Sequence, residues 1–348
     1  TSEATESLKD GDEVTVDGKQ GIIYEGLQSE LIEKEEEKKK STEKKETAVI
    51  TGTNVYVNLS SPDAAEEVAK RNVDGVGLLR AEFIAAQIGF HPNKAIEQGR
   101  KGEWIDNLSN GLKAVASAFD PRPVIYRTLD FKTNEYRELK GGKKYEPKEN
   151  NPMIGYRGCF RNINDREVFE MELKAINRIR DEYNLKNLHV MIPFVRTIEE
   201  LKTAIEIMNE NGLTRNRDFK LWIMVEVPST VFLIERFLEY VDGVSIGSND
   251  LTQLILGVDR DNENLSELFD ERNPAVLKAL EMIIMACRKT NKTVSICGQA
   301  PSVYEEIVEF LVKHGVTSVS VNPDAIESTR RLVASVEKRF LLNKMRKT

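Results

Sequence analysis

The chain has 348 residues, enough for roughly two domains of about 150 residues, or for one α/β barrel of about 250 with an appendage. Its 50 basic and 57 acidic residues leave a net charge of −7, which argues against a nucleic-acid or membrane-surface binder, since either would need a basic excess. No apolar run approaches the ~18 residues that span a bilayer. No signal-peptide pattern is read at its start, and three cysteines (Cys159, Cys287 and Cys297) are too few for a disulfide framework. A reducing, cytoplasmic setting is therefore expected.

In chain order, residues 8–25 come first. Alternation over Glu13-Val14-Thr15-Val16, the pair Asp17-Gly18 and the run Gly21-Ile22-Ile23-Tyr24 predict a β hairpin. Residues 29–47 are almost wholly charged and read as a solvated linker, so the chain divides near residue 48. Beyond it, short apolar runs predict eight strands: Asn54–Asn58, Gly75–Leu79, Val124–Leu129, Leu188–Pro193, Leu221–Val227, Gly243–Ile246, Thr293–Cys297 and Ser318–Val321. Helical periodicity lies between most of them, at 62–72, 163–183, 198–210, 229–240, 273–289, 303–314 and 325–345. Asp63 and Ser229 stand where N-terminal caps belong. Eight strands with intervening helices predict an α/β fold, a (β/α)8 TIM barrel, over residues 49–348. A doubly wound open sheet is the alternative. Its dinucleotide-binding version is disfavoured because no G-x-G-x-x-G follows the first strand.

In such barrels the chemistry sits at the C-terminal ends of the strands. Arg80 ends the second expected strand, Arg127 follows an apolar run in the third, and Glu226 does so in the fifth. Asn249 and Asp250 follow the sixth, and Cys297 ends the seventh. Arginines, carboxylates and a thiol at one mouth describe an anionic-substrate site with a metal. Glu226 and Asp250 are hard oxygen ligands of the kind Mg²⁺ takes. A lone carboxylate closing the run Leu221–Val225 would be costly to bury unpartnered, which favours a functional Glu226. Asp250 has a competing role as cap of a helix expected to begin at Leu251. Gly247, Ser248 and Asn249 place backbone N–H groups where an anion could be bound. Arg80 and Arg127 can grip phosphate or carboxylate through paired hydrogen bonds, or be ordinary surface arginines.

A free cysteine is usually a small core hydrophobe, and Cys159 and Cys287 fit that description. Cys297 differs because its strand ends there and Gly298 opens the backbone beside it. A thiol so placed can carry a proton to or from carbon. His91, His189 and His314 read as structural residues, and no histidine pair points to zinc.

Seven segments together resemble one family. GVGLLRAEF (75–83), RTLDFKTNEYRELKGG (127–142), ENNPMIGYRG (149–158), VMIPFVRT (190–197), IMVEVPS (223–229), GVSIGSNDLTQLILGVDRD (243–261) and ICGQAPS (296–302) are similar to the C-terminal PEP/pyruvate-binding barrel of the PEP-utilising enzymes. Residues 1–27 resemble the last strands of that family's swivelling phosphohistidine domain, with 28–48 as the linker.

The resemblance implies a phosphotransferase that moves a phosphoryl group between a phosphohistidine and the enolate of pyruvate, forming PEP with Mg²⁺. It implies that Glu226 and Asp250 hold the metal and that Arg80 and Arg127 hold the transferring phosphoryl group. Arg157 and Arg260 would complete the anion site. Asn249, with the backbone of Gly247 and Ser248, would meet the substrate carboxylate. Cys297 would exchange a proton with the methyl carbon, and the arginines and metal are expected to lower its pKa for that purpose.

The family's Thr-Ser/Cys-His phosphohistidine motif is not read in this chain, nor is an ATP-grasp domain. The chain is therefore expected to be the C-terminal portion of a longer enzyme, with the phosphohistidine domain as a partner. Gln299, where pyruvate, phosphate dikinase and the first enzyme of the sugar phosphotransferase system carry Glu, favours the family's synthase branch. Val303 departs from that branch, which usually has an acidic residue there. Related barrels dimerise, so a homo-oligomer is expected. Leu332, Val336, Phe340 and Leu341 on the last helix could serve that contact or pack on the barrel wall. A mainly structural assembly module and a Mg²⁺-dependent lyase are the readings from other classes.

Overall fold

A computed structural model describes residues 13–17, 22–28 and 49–346. The turn residue Gly18 and the charged stretch 29–47 lie outside the described residues. The chain divides into two compact units, Thr1–Val49 and Ile50–Thr348. In the first, β1 (Val14–Asp17) and β2 (Ile22–Glu25) pair antiparallel, with Val14 opposite Glu25. Thr15 Oγ1 secures the chain after β2, donating to the Gly26 carbonyl at 2.8 Å and accepting from the Gln28 N–H at 2.9 Å.

The second unit contains eight parallel strands: β3 (Asn54–Leu59), β4 (Val76–Arg80), β5 (Val124–Arg127), β6 (Leu188–Ile192), β7 (Leu221–Val225), β8 (Gly243–Ile246), β9 (Thr293–Ile296) and β10 (Ser318–Val321). They run in the order β10-β3-β4-β5-β6-β7-β8-β9. Thr317 brings the two ends together. Its N–H donates to the Val294 carbonyl at 3.0 Å, and its Oγ1 accepts from the Val294 N–H at 2.9 Å. The sheet therefore curls into a barrel, which rules out the open doubly wound alternative.

Strand alternation sorts the side chains into two layers. One parity faces outward against the helices. Val55 and Val57, Leu79, Val190 and Ile192, Val244 and Ile246, and Val294 and Ile296 all join the main apolar core there. The other parity faces the barrel interior, where Leu78, Ile125, Met191, Met224 and Cys297 form a separate small cluster flanked by Tyr56 and Trp222. Continuing the inward parity toward the C-terminal ends reaches Asn58, Arg80, Arg127, Glu226, Gly247 and Cys297. The same period that packs the barrel therefore delivers the polar residues to its mouth.

Strands β5 and β7 stop two residues short of the expected ends. Past β5 the Thr128 N–H still reaches the Met191 carbonyl at 3.0 Å, but the Leu129 N–H turns to the buried Glu172 carboxylate at 2.8 Å. The helix expected at 163–183 is three pieces, Gly158–Asn164, Arg166–Asn177 and a π-helical turn Arg178–Glu182, broken at Asp165. Ser229 is not a cap, since its hydroxyl donates to the Arg196 carbonyl at 2.7 Å. The cap at 62 is Ser61, whose Oγ accepts from the Asp63 N–H at 3.3 Å.

Helix Lys101–Phe119 was not expected, although Trp104, Leu108, Leu112, Val115 and Phe119 face the core along it. Along helix Ile326–Met345, Val336 is buried and Leu332 packs against the core, whereas Phe340 and Leu341 are exposed. No helix among the described residues is long and apolar enough to cross a membrane.

Candidate active site

A cavity of about 750 Å³ opens at the C-terminal mouth of the barrel. Arg80, Arg127, Arg157, Glu226, Gly247, Asn249, Asp250, Arg260 and Cys297 all line it. The structure thus brings the expected site residues together around one space. Ser248 is the exception, being buried beneath it with its hydroxyl donating to Glu271 Oε1 at 2.5 Å.

Glu226 follows β7 directly and is almost wholly buried. Its Oε2 accepts from the Phe194 N–H at 2.8 Å. Phe194 holds a positive φ of 47°, an uncommon conformation for a side-chain-bearing residue and one that clusters at functional sites. Gly158, itself at φ 60°, makes this possible: a Cβ there would stand 2.5 Å from the Phe194 Cβ. Gly247 leaves room for the other side of the carboxylate, since a Cβ there would lie 2.5 Å from Glu226 Cγ and 2.9 Å from Oε1.

Burial, reinforced by Asp250 and Asp130, pushes the Glu226 carboxyl up to about 8. Crowded acids in a dry place favour a cation among them. Among the described residues no cluster of three or more His, Cys, Asp or Glu could cage a metal. Two carboxylates with the remaining positions left open suit Mg²⁺, which keeps water and substrate oxygens in its shell. The donor set therefore fits that ion.

Asp250 does not cap a helix starting at Leu251. The helix runs Ser248–Leu256, placing Asp250 in its first turn. Its carboxylate is shared by Arg157 Nη1 at 3.0 Å and Arg260 Nη1 at 3.2 Å. The first N–H groups of that helix have no intrahelical acceptor, and the cavity lies at this end. Asn249 is fixed by Gln299: its Oδ1 accepts from the Gln299 N–H at 3.0 Å, and its Nδ2 donates to Gln299 Oε1 at 3.5 Å. Gly298 allows this approach, since a Cβ there would sit 1.8 Å from Ser248 Oγ.

The arginines differ in their settings. Arg80 is half-exposed at the rim, with its Nε 4.0 Å from Glu82 Oε2. Arg127 is buried, and its Nη2 donates to Glu82 Oε1 at 2.5 Å. Burial opposes its charge, but Glu82 and Asp130 outweigh that and hold it protonated. Arg157 is paired through both Nε and Nη2 with Asp130, at 3.0 and 2.6 Å, and lies over the Phe194 ring at 4.1 Å. Glu82 and Asp130 are thus site residues that the sequence reading passed over. Their sequence signal is proximity: Glu82 stands two residues after Arg80 and Asp130 three after Arg127.

Cys297 lies just past β9, with Sγ 3.7 Å from the Ile246 carbonyl. Arg127 and Arg80 favour the ionised form of its thiol. Burial pushes it up to about 12, overcoming the opposing pull of Ser245 and the arginines. Cys159 and Cys287 are buried core residues, as expected. None of the three histidines lines the cavity. His91 donates Nε2–H to Glu146 at 2.9 Å while its Nδ1 accepts from Asn93. His189 packs beside Trp222, and His314 ends a helix.

This geometry can be set beside known proteins. The family described as "PEP-utilising enzyme, PEP-binding domain" matches residues 34–338. A probable phosphoenolpyruvate synthase of Staphylothermus marinus is 52% identical over 100% of this chain and 43% of its own length. The phosphoenolpyruvate synthase of Aeropyrum pernix is 52% identical over 99% of the chain and 44% of its own length. That of Helicobacter pylori is 42% identical, covering 97% and 44%. The chain thus spans less than half the length of these relatives. A family match running through nearly the whole barrel, on a mouth built of paired arginines, acids and a thiol, leads to one assignment: the chain belongs to the PEP-utilising enzymes and carries their PEP-binding domain.

Proposed function

We propose that the chain is the C-terminal portion of a phosphoenolpyruvate synthase, and that its barrel is where pyruvate and PEP interconvert with a phosphohistidine as phosphoryl partner. The supporting observation is the shared cavity, which Arg80, Arg127, Glu226, Asn249, Asp250 and Cys297 line together. In this reading Glu226 and Asp250 hold Mg²⁺. When bound, that ion neutralises charge on the enolate and on the passing phosphoryl group.

The chain's own residues do the rest. Arg80 and Arg127 orient the phosphoryl oxygens, with Arg127 pre-set by Glu82. The Ser248–Leu256 helix start and the Asn249 amide receive the substrate carboxylate. Cys297 exchanges one proton with the methyl carbon. In the pyruvate-forming direction its S–H proton goes to carbon and the sulfur keeps the electron pair. In the reverse direction the thiolate takes the proton and leaves the C–H pair in the enolate. Burial holds the free chain in the protonated form, so the acid form is the resting one. No histidine stands at the cavity, which fits a phosphohistidine that arrives from elsewhere.

With Mg²⁺ in deuterated water, the chain is expected to exchange the methyl protons of pyruvate, measured by NMR. Cys297→Ala is expected to lower the exchange at least ~10²-fold while oxalate binding persists. Exchange by the Ala variant at the parent rate refutes the role given to Cys297.

A further inference from the structure

The barrel interior has two unlike sides. Leu78, Ile125, Met191 and Met224 pack on Cys297 from β4 to β7. On β8 and β9 the inward positions are instead Ser245 and Ser295, which are partners in the strand register. Their neighbours Val244, Ile246, Val294 and Ile296 all belong to the outer core, so both hydroxyls face inward with Cys297, two residues beyond Ser295. Both side chains are buried, and neither oxygen has a hydrogen-bond partner. Buried hydroxyls are normally satisfied, and exceptions in functional regions point to a role met only in another state of the site. Ser245, Arg127 and Arg80 favour the ionised form of the sulfur, and Glu226 opposes it.

We propose that Ser245 is a positioning residue for Cys297, its free hydroxyl donating to the sulfur as the thiol loses its proton, with Ser295 backing Ser245 from the adjacent strand. This rests on the reading of Cys297 as the proton carrier. Arg127 and Arg80 favour the thiolate from above and Glu226 opposes it. A hydroxyl donor from β8 adds a neutral stabiliser across the barrel interior from the apolar groups of β4 to β7. Because it donates only to the ionised sulfur, its contribution falls on the proton-transfer step rather than on substrate binding.

The test uses the full chain with Mg²⁺ and pyruvate, following methyl exchange by NMR across pH together with alkylation of Cys297 by iodoacetamide. Ser245→Ala is expected to slow exchange and alkylation about tenfold, to move the alkaline limb of both profiles upward by about one pH unit, and to leave the pyruvate KM within about twofold. Ser245→Thr, which keeps the hydroxyl, is expected to restore the profile. The Ala variant should melt no lower than the parent, since an unpartnered hydroxyl is removed. Unchanged profiles in Ser245→Ala overturn the proposal, as does a lowered melting temperature with no shift in the pH limb. If Cys297→Ala abolishes exchange while Ser245→Ala behaves as the parent, only the Ser245 assignment falls. If Cys297→Ala exchanges normally, the proton-carrier reading falls with it.

Discussion

Glu82 shows how a single side chain can organise a site through the groups it holds. Its Oε1 takes both the Arg127 Nη2 and the Asp130 N–H, the latter at 3.2 Å, while Oε2 faces Arg80. One carboxylate thereby sets the spacing of the two arginines read as phosphoryl-binding. Removing the charge leaves the buried Arg127 with Asp130 as its nearest acid, at 3.6 Å. Breaking one partner of a buried ion pair costs about 3–5 kcal/mol. Glu82→Gln keeps one acceptor and should lie below that range. We expect it to lower the melting temperature and to reduce exchange at least ~10-fold, with cation affinity at Glu226 and Asp250 nearly unchanged. A variant that matches the parent in both stability and exchange would remove Glu82 from the site.

At the scale of elements, the loops over the mouth are tied to the barrel by buried polar groups. Glu172, on helix Arg166–Asn177, accepts from the Tyr126 hydroxyl of β5 and from the Leu129 N–H. Burial raises its carboxyl to about 8, against about 4.3 in the unfolded chain. The folded chain therefore binds the extra proton between those values, and this stabilisation is lost as pH rises through about 8. Denaturant midpoints should fall between pH 5.5 and 8.5 in the parent, and Glu172→Gln should flatten the decline. A parallel decline in both would assign it to other groups.

Helix Lys101–Phe119 carries a second test. Gly111 lies under Ile84, whose Cγ2 would be 2.8 Å from an added Cβ. Gly111→Ala should cost about 1–3 kcal/mol through overpacking, despite its better helix propensity. A gain in melting temperature would show that Ile84 yields freely. That helix escaped the sequence reading because Gly102, Asn107, Ser109 and Gly111 interrupt it with weak helix formers, and the packing of Trp104 and Leu108 overrides them. The strands were easier to read. Their apolar runs are short, bounded and nearly continuous, as buried parallel strands require.

For the whole molecule, the barrel and most of its mouth were legible because one structural period governs both. Every second strand residue faces inward, so Arg80, Arg127, Glu226 and Cys297 could be placed by continuing the strands. What could not be read were the partners brought in by tertiary folding. Asp250 is held between Arg157 and Arg260, which come from different loops, and Phe194 turns its N–H toward Glu226 only because Gly158 makes room. The ionisation of Cys297 likewise depends on neighbours far apart in sequence, since burial raises its pKa while Arg127 and Arg80 lower it.

The proposed function turns on Glu226 and Asp250 holding a divalent cation beside the ligand that Cys297 serves. Its most direct test is Mn²⁺ binding, followed by electron paramagnetic resonance with and without oxalate. One site per chain is expected, tightened by oxalate, with affinity lowered at least ~10-fold in both Glu226→Gln and Asp250→Asn. Unaltered Mn²⁺ affinity in the two variants, or a bound ion indifferent to oxalate, would contradict it.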